Sequence, residues 1–215
     1  IVVRISNQDT ETRYARVSKS RTAGIAYELF LRVLQSYVIR LASAQQRPES
    51  STTLKVYEGD IHDRFPQVGD GAIDLVLTSP PYINSFDYYL YHKQRMHWLE
   101  ADPKLIRRLE IGNHHRIDTQ PYDVAVAEYR NSMDFLVRES ARCLKPKGKL
   151  VILIGDGIVK DQLVKADTLI MELTGKHALK CVDRTSQELA SVSKTFIKER
   201  PRLARKLHHV LTFAK

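Results

Sequence analysis

Chemistry is concentrated in Thr78-Ser79-Pro80-Pro81-Tyr82. Each proline fixes its own φ and lacks an N–H, and the residue before a proline is driven to extended backbone. The loop is therefore stiff, and an acceptor carried on it stays in place. Stationary acceptors suit a poorly nucleophilic amine. The lone pair of an exocyclic amine on a nucleobase is delocalised into the ring. Acceptors aimed at its N–H bonds localise that pair and stabilise the charge that develops on attack. The Ser79 hydroxyl and the Pro80 carbonyl are of the right type, Pro81 stiffens them, and Tyr82 offers a face on which an extruded base could stack. No covalent intermediate with the protein is needed. The same residues also suit a strand end that packs a tyrosine, which is how Pro-Pro-Tyr alone would be taken.

The elements that position this loop follow from periodicity. Ile73, Leu75, Val76 and Leu77 predict a short strand buried on both faces, and open α/β sheets bind ligands at the carboxyl ends of such strands. Upstream, Leu54 to Tyr57 predicts another strand, running into Glu58-Gly59-Asp60-Ile61. A glycine and a carboxylate at a strand end suit a cofactor contact, although an aspartate in such a turn is commonplace. Gly69-Asp70-Gly71 is a turn feeding the central strand. A helix is predicted from Ala23 to Gln45, with Tyr27, Phe30, Leu31, Leu34, Val38 and Leu41 on one face. Residues 1 to 22, with Arg13, Arg16, Lys19 and Arg21, suit a mobile arm, solvated or touching nucleic acid.

Beyond the loop, Asp87 to Leu99 predicts a helix carrying Tyr88, Tyr89, His92, Lys93, Arg95 and Trp98. It would either line a groove for a nucleic-acid strand or pack on the sheet. Ala101 to Gln120 is expected to be irregular, a lid or recognition segment. Its His114-His115 pair has no ligand spacing, so no metal is assigned. Tyr122 to Leu144 predicts a long helix, Leu150 to Ile154 a buried strand, and Asp161 to Thr174 a helix ending at Gly175. Ala178 to Val182 and Val210 to Phe213 predict an antiparallel pair. The basic loop between them, including Lys198 and Arg200, could clamp a phosphate backbone or simply be solvated.

A chain of 215 residues with 43% hydrophobic content is enough for one domain with a sizeable core, so residues 1–215 are expected as a single, partial catalytic domain. A charge of +9 suits a polyanionic partner. There is neither a membrane-length apolar run nor a signal-peptide pattern. Two cysteines, Cys143 and Cys181, make no disulfide framework. Both are expected in the core, and a reducing cytoplasm fits. The first residue is Ile1, which suits a fragment or a trimmed chain.

Thr78-Ser79-Pro80-Pro81-Tyr82 resembles the catalytic motif of the S-adenosylmethionine-dependent amino methyltransferases of DNA, in which Asp, Asn or Ser precedes Pro-Pro and an aromatic residue. The serine form is more similar to the cytosine-N4 branch than to the adenine-N6 branch, and Ile83-Asn84-Ser85-Phe86-Asp87-Tyr88 is similar to the continuation in one bacterial group. The likeness runs from about Leu54 to the C-terminus. It implies that Ser79, Pro80, Pro81 and Tyr82 hold the target base and that Asp60 touches the adenosine of S-adenosylmethionine, with Ile61 and Thr78 alongside. It implies lesser substrate contacts by Asn84, Asp87, Tyr88, Lys198 and Arg200, with DNA as partner. Helix, Leu-Lys-Pro-x-Gly and strand at 144–154 resemble the fifth-strand unit of Rossmann-like methyltransferases. The implied fold is thus a class I α/β sheet with helices on both faces, lacking its first two strands.

The family's glycine-rich donor turn has no match. Gly69-Asp70-Gly71 and Gly155-Asp156-Gly157 are the Gly-x-Gly candidates, and the second belongs to the fifth strand. The missing piece is expected before Ile1, on a second chain, or lost, and donor binding by this chain alone is expected to be poor. Neither cysteine follows a proline, as the nucleophile of ring-carbon methyltransferases does. Similar loops in RNA guanine-amine methyltransferases, and a catalytically silent DNA-binding subunit, are the alternatives.

Overall fold

The computed structural model describes residues 8–10, 13–16, 18–20, 22–45, 53–84, 86–188 and 206–215. The chain divides into two compact units, Ile1–Val56 and Tyr57–Lys215. In the first unit β1 (Gln8–Thr10) pairs antiparallel with β2 (Arg13–Arg16), within the stretch read as an arm. Helix α1 (Ile25–Gln45) follows, close to its predicted bounds. Its apolar stripe is largely exposed, Tyr27, Phe30, Val38 and Leu41 included, while Leu29 is buried.

The strand predicted at Leu54 to Tyr57 does not form. Backbone polar groups need partners, no strand among the described residues pairs with this stretch, and Leu54 is 84% exposed.

The second unit opens with α2 (Ile61–Arg64), a 3-10 turn (Phe65–Gln67) and β3 (Ile73–Thr78). The predicted helix after the Pro-Pro loop is broken at His92 into α3 (Tyr88–Tyr91) and α4 (Lys93–Trp98). The run expected to be irregular holds two short helices, α5 (Pro103–Leu109) and α6 (His114–Thr119). Each starts on a side-chain cap: Asp102 accepts from the Lys104 amide at 2.8 Å and Asn113 from the Arg116 amide at 3.0 Å. Helix α7 (Tyr122–Cys143) matches its periodicity. Strand β4 (Leu144–Gly155) begins directly after it. Its register against β3 jumps from Ile73↔Leu144 to Leu75↔Lys149, so residues 145–148 bulge out of the ladder.

A hairpin of β5 (Gly157–Val159) and β6 (Gln162–Val164) replaces the predicted start of the next helix. Lys160 and Asp161 take φ of 46° and 64°, the left-handed pair that a two-residue hairpin turn requires. Helix α8 (Ala166–Lys176) therefore begins five residues later than predicted. Strands β7 (Lys180–Glu188) and β8 (Leu207–Ala214) form the expected antiparallel pair, both longer than predicted.

The sheet runs β3-β4-β8-β7, with β3 parallel to β4 and the other pairs antiparallel. This is the expected mixed α/β sheet flanked by helices. Alternate residues of β4 and β8 (Leu150, Ile152, Ile154, Leu211 and Phe213) form the core with Met133 and Val137 of α7 and Ile170 and Leu173 of α8. The opposite side of the sheet carries exposed Leu153 and Val210. Strand β3 is accordingly not buried on both faces, because Leu75 and Leu77 are 53% and 72% exposed. Among the cysteines Cys143 is buried as expected, whereas Cys181, on the outermost strand β7, is exposed.

Candidate active site

Thr78 ends β3 opposite Ile152 and hands the chain to the Pro-Pro loop. Ser79 is exposed, Pro80 buried, and Pro81 and Tyr82 half-buried. The Tyr129 hydroxyl, on the buried side of α7, donates to the Pro81 carbonyl at 2.9 Å. Burial pushes the Tyr129 phenol far above its usual range, so it remains a donor. Burial also raises Tyr82, against an opposing side-chain hydrogen bond with Ser79. The motif's hydroxyl and phenol are thus coupled to each other.

The loop is seated on the end of β4. A Cβ on Gly155 would come within 2.6 Å of the Tyr82 ring, and one on Gly157 would collide with the Ile83 carbonyl. Neither glycine has a positive φ; what each provides is bare space. The Tyr82 ring meets His208 edge-on, with centroids 5.2 Å apart and planes at 89°. Gly112, at φ 69°, has the Tyr129 ring and the Tyr82 carbonyl each 3.3 Å from where its Cβ would be.

The tail of the loop is pinned to the segment ahead of α7. Asn84, itself at φ 55°, donates from Nδ2 to the Ile158 carbonyl at 2.6 Å and pairs through Oδ1 with His114. Its amide donates to the Gly112 carbonyl at 3.1 Å. Asp87 accepts from the His115 amide at 3.2 Å. Glu110 accepts from the amides of Tyr88 and Tyr89 and, at 2.8 Å, from Asn113 Nδ2. Burial raises the Glu110 carboxyl, with these hydrogen bonds opposing. Asn84 and Asp87 are therefore engaged in holding the chain, while the Tyr88 side chain stays exposed.

Asp60 caps α2, accepting from the His62 amide and pairing with His62 Nδ1, both at 2.8 Å. Burial pushes its carboxyl up, but the His62 contacts outweigh that and hold it below the usual range. Ile61 is the first residue of that helix and is exposed. Asp60 lines an open cleft of about 320 Å³ with Arg108, Asn113, Glu128, Asn131 and Tyr129. The Tyr129 ring is thus a wall of this cleft while its hydroxyl holds the loop. Lys198 and Arg200, with the rest of the basic loop up to Arg205, lie outside the described residues.

Asp156 continues from β4 into the core. Its Oδ1 accepts from the Ala166 amide at 2.9 Å and faces His209 Nε2 at 3.2 Å, and its Oδ2 accepts from the Leu207 amide at 3.0 Å. His209 Nδ1 meets the Ser186 hydroxyl at 2.8 Å, and the nearby Asp167 pairs with Arg184. Every member of this buried group has a protein partner, and together they tie β4, α8, β7 and β8 into one piece.

Sequence reasoning missed Tyr129, Glu110, Gly155, Gly157 and His208. The Gly-x-Gly at 155–157 was visible in the sequence, but its use depends on a loop more than seventy residues earlier.

No family model matches the chain. Over 45 residues it is 40% identical to the type II methyltransferase M.BsoBI of Geobacillus stearothermophilus, a match covering 21% of this chain and 9% of that protein. Among solved structures, it is similar to a candidate DNA modification methylase of Thermus thermophilus complexed with S-adenosyl-L-methionine. That similarity has a TM-score of 0.45 at 17% identity, over 73% of this chain and 51% of the other. The cytosine-N4-specific PvuII DNA methyltransferase aligns with a TM-score of 0.43 at 16% identity, over 74% and 48% of the two chains. The chain spans about half the length of these solved structures.

Proposed function

We propose that this chain carries the catalytic loop of a methyltransferase that moves a methyl group from S-adenosylmethionine to an exocyclic amine of DNA, cytosine N4 in preference to adenine N6. One observation carries the reading: a Thr-Ser-Pro-Pro-Tyr loop at the carboxyl end of β3, held by the Tyr129 hydroxyl and seated on bare glycine. The short match to a type II methyltransferase supports the same reaction class, and the charge of +9 suits DNA.

In this reading the Ser79 hydroxyl and Pro80 carbonyl accept from the amine and stabilise charge that grows on its nitrogen. Tyr82 positions the extruded base, and the Tyr129 hydrogen bond keeps Pro81, and with it the loop backbone, from turning. S-adenosylmethionine, when bound, supplies the methyl group on a sulfonium. Asp60, Ile61 and Thr78 are the residues proposed to hold it, and the cleft beside Asp60, with its polar rim, has room for part of such a molecule.

A second reading, a DNA-binding subunit without catalysis, is favoured by the use to which both Gly-x-Gly turns are put. Gly155 and Gly157 are filled by Tyr82 and Ile83, and Asp70 of the first turn pairs with Arg142. Transfer of label from S-adenosylmethionine to mixed DNA, followed by digestion to nucleosides, separates the two. It should be run on this chain and on the longer coding region around it. Label on the cytosine amine, lost in Ser79→Ala and Tyr82→Ala with DNA binding retained, is the expected result. DNA binding with no label in either preparation would leave the silent subunit.

A further inference from the structure

Three strand ends meet beside the catalytic loop. Ser79 follows the end of β3, Gly155 ends β4, and His208 stands at the start of β8, directly across from Gly155. The Tyr82 ring bridges the last two: it lies on Gly155 and meets His208 edge-on, while Ser79 opposes the burial-raised pKa of its phenol. A Cβ on Gly155 would come within 2.6 Å of Tyr82 and 2.9 Å of His208 Cδ2. The missing side chain is what lets the two rings touch. His209, next along β8, is buried and bonded at both ring nitrogens. His208 is half-buried and paired through its backbone on both sides, while its ring nitrogens meet no hydrogen-bond partner among the described residues.

The proposed reaction leaves a proton to be placed. As the amine nitrogen bonds to the methyl carbon, the carbon–sulfur bond breaks and its electron pair stays on sulfur. The sulfonium becomes a neutral thioether, and the amine becomes a cation with one proton too many. The Ser79 hydroxyl and the Pro80 carbonyl can accept hydrogen bonds, but neither retains a proton near neutrality. A neutral imidazole does.

We infer that His208 is a further catalytic residue of this site, the base that takes the proton released when the target amine is methylated; the inference rests on the methyltransferase reading. The proton passes to the free ring nitrogen and from the imidazolium to water. Tyr82 faces His208 from the loop, Asp156 acts on it from the end of β4 and His209 from its own strand, Lys206 lies two residues before it, and its partner on β7, Gln187, is uncharged. Burial, and secondarily His209, hold the imidazole below the ordinary histidine range against the pull of Asp156. His208 is therefore neutral, and able to accept, at neutral pH.

The test uses His208→Gln, which keeps a side chain against Tyr82, and His208→Ala, both made in the longer coding region. Single-turnover transfer of label to a cytosine-containing oligonucleotide is measured across pH, alongside DNA affinity and thermal unfolding. Expected is a fall of about 100-fold at neutral pH in both variants, with DNA affinity and melting unchanged. The wild-type rate should decline on the acid side as the imidazole protonates, and both variants should lack that limb. Variants that transfer at the wild-type rate, or keep the acid limb, overturn the role of His208 and leave the enzyme reading standing. Variants whose lost rate is matched by lost folding or DNA binding reduce His208 to a packing residue and overturn the inference. A wild-type protein that labels no nucleic acid overturns the methyltransferase reading and the inference with it.

Discussion

In Gly69-Asp70-Gly71 the aspartate lies at the surface, where Arg142 reaches it, and Gly71 turns at φ 56° with open space around it. In Gly155-Asp156-Gly157 the aspartate is buried under two backbone amides and a histidine, and both glycines face the Pro-Pro-Tyr loop. The same three-residue pattern thus serves two physical ends. The first glycine turn is there for a backbone angle that a side chain resists. The second is there for distance, because Tyr82 and Ile83 occupy the volume that side chains would fill. Proximity to a strand end does not make a Gly-x-Gly a ligand cradle; a protein's own loop can be the occupant.

Substitutions at matched positions sharpen this contrast. Asp156→Ala leaves the amides of Ala166 and Leu207 and the ring of His209 without their acceptor, and should lower the unfolding free energy by about 3 kcal/mol or more. Asp70→Ala, at an exposed position, should change it by less than ~0.5 kcal/mol. Denaturant titration of the pair measures both, and equal losses would erase the distinction. Gly157→Ala drives a methyl into the Ile83 carbonyl and should cost about 2 kcal/mol. It should also reduce methyl transfer far more than DNA affinity, since the loop has to shift. Gly71→Ala meets no atom and should cost only the strain of a left-handed alanine, about 1 kcal/mol, with transfer unchanged. Tyr129→Phe removes one hydrogen bond, worth about 1 kcal/mol of stability. If the loop needs that bond to stay in register, kcat should drop while DNA affinity holds; an unchanged kcat would show that the prolines suffice.

The parts of the molecule legible in the sequence are those governed by local rules. Two prolines stiffen a loop whatever surrounds them, and Tyr129, Met133, Leu136 and Val137 mark α7 because their spacing matches a helix face. Where the outcome depends on a distant partner, sequence reasoning fell short. Leu54 to Tyr57 has the composition of a strand, but a strand is a property of a pair. Asn84 and Asp87, expected as lesser substrate contacts, also hold the chain through His114 and His115, about thirty residues on, a role no local pattern announces. The β5–β6 hairpin was hidden because its turn residues, Lys160 and Asp161, are not the glycine and asparagine that usually announce such angles. Residue type alone places Cys181 in the core, whereas its strand lies at the rim of the sheet.

Strand β3 stands at the end of the four-stranded order, with no neighbour among the described residues along its outer side. It presents Leu75 and Leu77 to solvent beside Leu153 and Val210. The consequence is colloidal. A rim of amides and carbonyls without a strand partner among the described residues, next to a greasy plane, is a template for other molecules. Light scattering from concentrated solutions of this chain should therefore rise steeply with concentration, and a single Leu77→Lys charge should flatten that rise.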